Sequence, residues 1–146
     1  MNNNEYINAY KKAEQSANNI SSPHEIIRSL MKELMNSMKK IVIDIQDERE
    51  GLNNFSILNK ETKKSQALKK SKNLSKSLSI IYGLQTCLDF DKALDIATNL
   101  FQLYEYCRQQ IINGFSKRIE DGILKAINII KEIMEGWEEI PSRDKL

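Results

Sequence analysis

Apolar side chains recur at three- and four-residue steps between residues 84 and 115, and this spacing restricts the segment to an α-helix. We predict one long helix over 92–113, ended by Gly114. Its inward stripe consists of Ala93, Ala97, Leu100, Tyr104, Cys107 and Ile111. Tyr104 and Tyr106 lie about 200° apart around the axis at roughly 100° per residue, so one should face the core and the other solvent.

A second long helix should begin at Pro23. Ser22 can accept a hydrogen bond from an amide of the first turn, and Pro23 has no amide hydrogen to leave unpaired. Glu25 can reach back to the amide of Ser22. A broad apolar face then continues as far as Gly51, formed by Ile26, Ile27, Leu30, Met31, Leu34, Met35, Met38, Ile41, Val42 and Ile45. Such a face can be ordinary bundle core, or it can leave a groove for another helix.

Two further helices are predicted, over 65–87 and 116–140. The first should turn inward Leu68, Leu74, Leu78, Ile81, Tyr82, Gln85 and Leu88. Gly83 on this helix should permit a close contact with a neighbour. The second should turn inward Ile119, Ile123, Ala126, Ile127, Ile130, Met134 and Trp137. Either Asp89 or Asp91 can cap the start of the predicted helix over 92–113.

The connections between these helices are short apart from a loop at 51–65, and short connections favour antiparallel neighbours. We therefore predict an all-α fold, an antiparallel four-helix bundle in one domain over 1–146. Residues 1–20 should form a short helix or an adaptable arm, which can dock reversibly or pack permanently on the bundle. Residues 141–146 should form a polar tail.

The sequence carries no motif of catalysis or metal binding that we recognise: it has no Gly-rich phosphate loop, no GxSxG and no HExxH. His24 is the sole histidine, so no second one can share a metal. We expect no enzyme activity, no metal site and no cofactor. Cys87 and Cys107 are expected to be buried thiols. No apolar run approaches the ~20 residues that span a bilayer and no secretory signal is evident, so we expect a cytoplasmic protein without membrane insertion.

Positive charge is concentrated in residues 60–76, which contain seven lysines and one acid, a net of +6. Because the whole chain carries +2, the other residues sum to −4. The lysines can be a solvated helix end, or they can form an electrostatic footprint for nucleic acid or an acidic partner. The segment contains no arginine and no stacking aromatic residue, so no nucleic acid partner is expected.

Three blocks of the sequence resemble, in order, segments of the flagellar secretion chaperones, the FliS family. They are Ile7-x-Ala9-Tyr10, then Ser22-Pro23-His24-Glu25-Ile26 with Leu30-Met31, and finally Leu88-Asp89 with the run Ile96-Ala97-Thr98-Asn99-Leu100-Phe101-Gln102-Leu103-Tyr104-Glu105-Tyr106. The resemblance implies a cytosolic export chaperone that binds the disordered C-terminal segment of flagellin in apolar grooves. Such a chaperone prevents premature polymerisation and delivers flagellin to the type III export gate.

The resemblance also implies where the partner binds. The groove candidates are Ile27, Leu30, Met31, Leu34 and Met38, together with Leu100 and Leu103. Ile7 and Tyr10 would form a displaceable lid over the groove. The sequence departs from the family pattern in having Ala93-Leu94-Asp95 where the family has Gly-Gly-Glu. Two alternatives therefore stay open: an adaptor or chaperone for another secreted subunit, and a basic nucleic-acid-binding bundle that uses the segment from Lys60 to Lys76.

Overall fold

A computed structural model describes residues 3–9, 23–51 and 59–139, and in these ranges the chain is helical with short connections and no strand. The helices are α1 (3–9), α2 (Pro23–Arg49), α3 (Lys60–Thr86), α4 (Leu94–Lys117) and α5 (Asp121–Glu139). The fold is all-α, as predicted. The Ser22 cap and the polar tail lie outside the described residues. None of the described helices is long and apolar enough to cross a membrane.

The four long helices pack in a ring, in which each contacts the next along the chain and α5 closes on α2. Neighbours run antiparallel. Glu33 in the first half of α2 pairs with Lys76 of α3 at 2.5 Å, whereas Asp44 in the second half pairs with Lys70, which comes earlier in α3. The predicted antiparallel four-helix bundle is therefore confirmed.

The core is a single apolar cluster shared by the four long helices. The face of α2 supplies almost half of it, with Ile27, Met31, Leu34, Met35, Met38, Ile41, Val42 and Ile45 all buried. Tyr104 is buried and Tyr106 is exposed, as the helical spacing predicts. Two buried serines are satisfied within their own helices, because Ser37 Oγ donates to the carbonyl of Glu33 at 2.9 Å and Ser77 Oγ donates to that of Asn73 at 3.0 Å.

The predicted inward face of α3 is partly wrong. Leu68 is 62% exposed and Tyr82 is 69% exposed, although both were assigned to the core. The inward stripe passes instead through the small polar Ser77, which is buried alongside Ile81 and Leu84. Gly83 also faces open space and makes no close helix contact.

The third helix begins earlier than predicted. Asn59 caps it, since its side-chain oxygen accepts a hydrogen bond from the amide of Thr62 at 2.8 Å, and the first helical residue is Lys60 rather than Ser65. The lysine-rich segment therefore lies within a helix from its first residue. Cys87 follows the end of this helix and is exposed, so the prediction that both thiols are buried holds only for Cys107.

The fourth helix starts and ends later than predicted. Asp89 does not cap α4; its carboxylate accepts from the amides of Asp91 and Lys92, at 3.1 and 3.0 Å, and so forms the turn before the helix. The helix also continues through Gly114 to Lys117. An added Cβ at Gly114 would lie 2.7 Å from the side chain of Ile123, so this glycine lets α4 and α5 pack closely.

Arg118 ends α4 in a left-handed conformation, with a φ of 54°. The amide of Ile119 donates back to the carbonyl of Gly114 at 3.0 Å, which is the hydrogen bond of a Schellman helix end. The last helix therefore begins at Asp121 rather than Ser116, and Ile119 lies exposed in the connection instead of in the core.

Ion pairs fasten this connection to the C-terminal end of α2. The guanidinium of Arg118 donates to Glu48 at 2.8 Å and to Asp44 at 3.0 Å, and Lys70 from α3 also donates to Glu48. A second pair joins Arg49 of α2 to the buried Glu120 at 2.5 Å. This end of the bundle is therefore held by charged groups from α2, α3 and the connection between α4 and α5.

Candidate functional site

An apolar pocket opens at the other end of the bundle, where α2 and α4 begin and α3 and α5 end. All four long helices contribute, because the lining consists of Ile27, Met31, Leu84, Cys87, Leu88, Leu100, Tyr104, Ile133 and Trp137. Its volume is about 30 Å³, close to the space that one water molecule occupies in the liquid. A larger apolar side chain could enter only if one wall moved outward.

Trp137 closes the pocket on the side of α2. Its indole Nε1 donates to the carbonyl oxygen of His24 at 3.0 Å, and its ring stacks on the His24 ring with centroids 5.6 Å apart. Beside this pair, Arg28 of α2 and Glu138 of α5 form an ion pair at 2.6 Å. A hydrogen bond and a stacked ring therefore hold Trp137, near the end of α5, against His24 near the start of α2.

An aromatic-walled groove runs between α3 and α4 near the same end. Tyr82 stands on one wall and Phe101 on the other. Between them, Gln85 Nε2 donates to Glu105 at 3.0 Å, and Arg108 Nε donates to the same carboxylate at 3.0 Å. Hydrogen bonds from Arg108 and Gln85 lower the pKa of Glu105, so the charged carboxylate is stabilised in the groove. The groove thus combines apolar walls with a fixed polar rim.

Further large apolar side chains are exposed around the start of α4. Phe90 packs edge-to-face on Phe101, with ring centroids 6.2 Å apart, and remains 40% exposed. Leu94 and Ile96 on the first turn of α4 are more than half exposed. Together with Tyr82 they place several large apolar side chains on one end of the bundle. Exposed apolar side chains gathered at one end make this end the candidate site for an apolar or amphipathic partner.

The structure places three of the predicted groove residues in the end pocket: Ile27, Met31 and Leu100. Leu34 and Met38 have no exposed surface and Leu30 is packed against the core, so a partner could touch Leu34 or Met38 only if the helices separated. The binding role of these residues stays a prediction.

The remaining three predicted positions lie elsewhere. Leu103 is 39% exposed on α4 and does not line the end pocket. Ile7 lies on α1 and is half exposed, as is Tyr6 beside it. Tyr10 lies outside the described residues, so the lid that includes it stays a prediction.

Sequence reasoning missed the aromatic groove. The predicted core position of Tyr82 fits a four-residue step from Leu78. The buried stripe of α3 passes through Ser77 instead. Phe101 lies about 40° around the axis from the stripe residue Ala97, on the flank of α4 that faces α3. The available signal was Phe101, a large aromatic residue that falls outside the predicted inward stripe of its helix.

Two ionisable groups of α4, the Tyr104 hydroxyl and the Cys107 thiol, are buried. Burial raises the pKa of the Tyr104 hydroxyl, and it raises the pKa of the Cys107 thiol to about 12, so both are neutral side chains at neutral pH. Within the described ranges, no group of three or more His, Cys, Asp and Glu side chains could hold a metal ion. The arrangement is suited to binding through apolar contacts.

The fold and this surface define a small helical bundle with several exposed large apolar side chains at one end. The sequence model of a family described as "Flagellar protein FliS" matches residues 6–144. The chain is 30% identical over 136 residues to the flagellar secretion chaperone FliS of Vibrio cholerae, which covers 92% of this chain and 88% of that protein. It is 33% identical over 72 residues to the FliS chaperone of Salmonella typhimurium, about half of each chain. No solved structure matches the chain.

The chain therefore belongs to the FliS family of flagellar secretion chaperones. The family match extends over all four long helices, so it includes the end pocket and the aromatic groove alike.

Proposed function

We propose that this protein is a cytoplasmic export chaperone that binds the disordered C-terminal segment of flagellin. The observation that carries the proposal is the exposed apolar surface at one end of the bundle, with Tyr82 and Phe101 on opposite walls of a groove. An amphipathic helix of the client would lay its apolar face between these rings. The charged rim formed by Glu105 and Arg108 would orient the polar side of that helix.

The energetics favour a client that folds as it binds. Fully burying one Phe or Leu side chain contributes about 1.5–3 kcal/mol, and the groove and its surroundings offer several such side chains. A disordered segment loses conformational entropy when it becomes helical, so affinity requires a large wrapped surface. The end pocket supplies a second anchor, in which Ile27, Met31 and Leu100 would contact one apolar side chain of the client.

The N-terminal segment would act as a displaceable lid. Ile7 lies half exposed on the short helix α1. An exposed apolar side chain on a short helix suits reversible docking, because little buried surface has to be given up when the helix leaves. Ile7 and Tyr10 would cover apolar surface of the bundle until flagellin displaces them.

The test is a calorimetric titration of the protein with a synthetic peptide of the flagellin C-terminus, followed in parallel by circular dichroism. We expect tight binding, a gain of helix and a negative heat-capacity change. Phe101→Ser should weaken binding at least about tenfold, since about 1.5 kcal/mol of burial is lost. Leu124→Ser is the matched control, because Leu124 on α5 is 41% exposed and Phe101 is 39% exposed. Equal effects of the two variants would remove the groove from the proposal.

We further propose that binding prevents premature polymerisation of flagellin and permits its delivery to the type III export gate. Seeded flagellin polymerisation, followed by light scattering, should stop at one equivalent of the protein and resume with Phe101→Ser. Flagellin secreted by cells carrying Phe101→Ser should fall, whereas Leu124→Ser should secrete normally. Unimpeded polymerisation in the presence of excess wild-type protein would contradict this role and favour a different secreted client.

A further inference from the structure

The outward side of α4 carries the same amide side chains in both directions from Tyr106. Gln102 and Gln110 lie four residues before and after this tyrosine, and Asn99 and Asn113 lie seven residues before and after it. Steps of four and seven residues return to within about 40° and 20° of the starting direction around an α-helix. All four amide side chains therefore share one face of α4 with Tyr106.

Opposite charges stand at the two ends of this face. Asp95 lies eleven residues before Tyr106 and Lys117 eleven residues after it, each about 20° from the direction of the tyrosine around the axis. Both are exposed, and within the described ranges no ion pair joins either of them to another side chain. Their signs also suit the helix dipole, so the two charges alone would not indicate a partner. We call the seven residues together the amide face.

The amide face is exposed and almost free of charge between its ends. Tyr106 is 39% exposed, and Gln110 alone among the amides is half-buried, beside Gly122 of α5. Only two of the 21 residues in the range 96–116 are charged, against 29% of the whole chain. Depletion of charge around a central tyrosine is typical of surfaces that bind another protein.

The two charged residues of this range do not lie on the amide face. Glu105 and Arg108 pair with each other at 3.0 Å, and Glu105 accepts a hydrogen bond from Gln85, which places them on the flank toward α3. The exposed side of α5 shows what an ordinary solvated face of this bundle looks like, since it carries Lys125, Lys131, Glu132 and Glu135. Solvation alone does not account for the composition of the amide face.

We propose that the amide face binds the amide face of a second copy of this chain, with the two α4 helices antiparallel and a twofold axis beside Tyr106. An interface with twofold symmetry must be complementary to itself, and a pattern that is the same in both directions from one residue meets this condition. Gln102 of each copy then lies across from Gln110 of the other, and Asn99 from Asn113. A side-chain amide both donates and accepts, so two facing amides can bond to each other.

The charges at the ends select the antiparallel direction. Asp95 of each copy lies across from Lys117 of the other, which gives two attractive pairs, whereas parallel helices would place like charges together at both ends. One helix from each copy makes a contact at the small end of specific interfaces. We therefore expect a reversible dimer that is half associated at roughly 0.1 mM.

The dimer leaves the aromatic groove open. Phe101 lies five residues before Tyr106, which is about 140° away around the axis of α4. Dimerisation is therefore separate from the proposed binding of flagellin and does not rest on it.

The test is sedimentation equilibrium of the full chain between about 10 µM and 1 mM. Tyr106→Glu and Tyr106→Lys should each weaken dimerisation at least about tenfold, because two like charges then face each other where two rings packed. An equimolar mixture of the two variants should associate about tenfold more tightly than either alone, since opposite charges then meet at the twofold axis. Circular dichroism verifies that both variants stay folded.

The matched controls are Asn128→Glu and Asn128→Lys on the exposed side of α5, which change the net charge equally. They should dimerise like the wild type. Losses equal to those of the Tyr106 variants would overturn the proposal, because net charge alone would then account for self-association. A mixture of Tyr106→Glu and Tyr106→Lys that associates no more tightly than its components would overturn it by removing the twofold axis from Tyr106. A wild-type chain that is still monomeric at about 1 mM would overturn it as well.

Discussion

The same substitution, glycine to alanine, should change stability in opposite directions at two helical sites of this bundle. Gly83 lies inside α3, and an added Cβ there would meet no atom within 4 Å. Alanine at this site gains about 1 kcal/mol, because glycine loses more backbone entropy when a helix forms. Gly114 lies in the last turn of α4, where the added Cβ would lie 2.7 Å from Ile123 Cδ1 and 2.8 Å from the carbonyl oxygen of Ile119.

The contacts at Gly114 outweigh the gain in helix propensity. The side chain of Ile123 is fully buried and cannot swing into solvent, and Ile119 contributes a backbone atom. Relief requires α4 to move away from α5 or from the connection at residues 118–120. Overpacking of this kind costs about 1–3 kcal/mol. After the propensity gain of about 1 kcal/mol is subtracted, Gly114→Ala should lose up to about 2 kcal/mol of unfolding free energy.

Urea unfolding followed by circular dichroism measures both effects. Gly83→Ala should raise the midpoint and Gly114→Ala should lower it, with the same dependence on urea as the wild type. Thermal midpoints should move by about 2–4 °C per kcal/mol in a domain of this size. Gly136→Ala provides a second open-space control in α5. If Gly114→Ala were as stable as Gly83→Ala, close packing of α4 on α5 could not be the reason for glycine at 114.

Three further predictions concern the ionised side chains of Arg118 and Glu48 and the two cysteine thiols. Arg118→Gly should be about 1 kcal/mol less destabilising in urea unfolding than Arg118→Ala. Both variants lose the ion pairs of Arg118, but glycine tolerates the left-handed backbone conformation. Equal losses of stability would show that the left-handed conformation causes no backbone strain at this position. Burial raises the pKa of the Glu48 carboxyl, but hydrogen bonds from Arg118 and Lys70 outweigh this effect and lower the pKa below its ordinary value of 4.5. Its charge therefore stabilises the fold above about pH 4.5 and loses effect as the pH falls through the lowered pKa, so Glu48→Gln should flatten the acid side of the stability curve. At pH 8, iodoacetamide should modify Cys87 and spare Cys107 by mass spectrometry, because Cys107 is buried with a pKa raised to about 12; bound flagellin peptide should protect Cys87, which lines the end pocket.

The sequence predicts α2 far better than α3, and the reason is physical. Every inward position of α2 between Met31 and Ile45 is apolar except Ser37, so the apolar pattern and the buried pattern coincide. In α3 the two patterns diverge. Ser77 is fully buried because its hydroxyl returns to its own helix, whereas Leu68 and Tyr82 are exposed. A pattern that equates apolar with inward fails wherever large apolar residues are exposed and a small polar residue is buried.

The helix ends were harder to predict than the helices. Asn59 is a good capping residue, but the residues from 59 to 66 are all polar, so no apolar periodicity indicates that a helix begins there. At the C-terminal end of α4, Gly114 resembles a helix terminator, but it lies within the helix and permits close packing against Ile123. Arg118 takes the left-handed position that glycine usually occupies at a helix end. Tertiary contacts decide between these uses of glycine, and no local pattern encodes them.

The sequence predicts a candidate site made of apolar residues, but only some of the predicted residues line the pocket that the structure shows. The apolar face of α2 indicated binding, and Ile27 and Met31 do line a pocket, but a residue such as Leu34 at the same helical spacing is sealed in the core. The difference lies in position along the bundle. Neighbouring helices cover the middle of α2 on all apolar sides, whereas its first two turns stand at an end where α3 and α5 terminate. Sequence periodicity describes the angle around a helix and contains nothing about this axial coverage.

The two ends of the bundle are built from different chemistry, and this difference bears on where a client can enter. At one end Arg118, Glu48 and Asp44 bind α2 to the connection between α4 and α5 through direct ion pairs, and opening that end would leave several charges without partners. At the other end the pocket walls meet through apolar contacts, an indole hydrogen bond from Trp137, and the half-exposed ion pair between Arg28 and Glu138 beside it. We expect an apolar segment that enters there to replace apolar contacts with others of the same kind, so that parting these walls costs less free energy than separating the ion pairs at the charged end. If a client binds at the pocket end, we therefore expect the charged end to stay closed and the four helices to remain in one bundle.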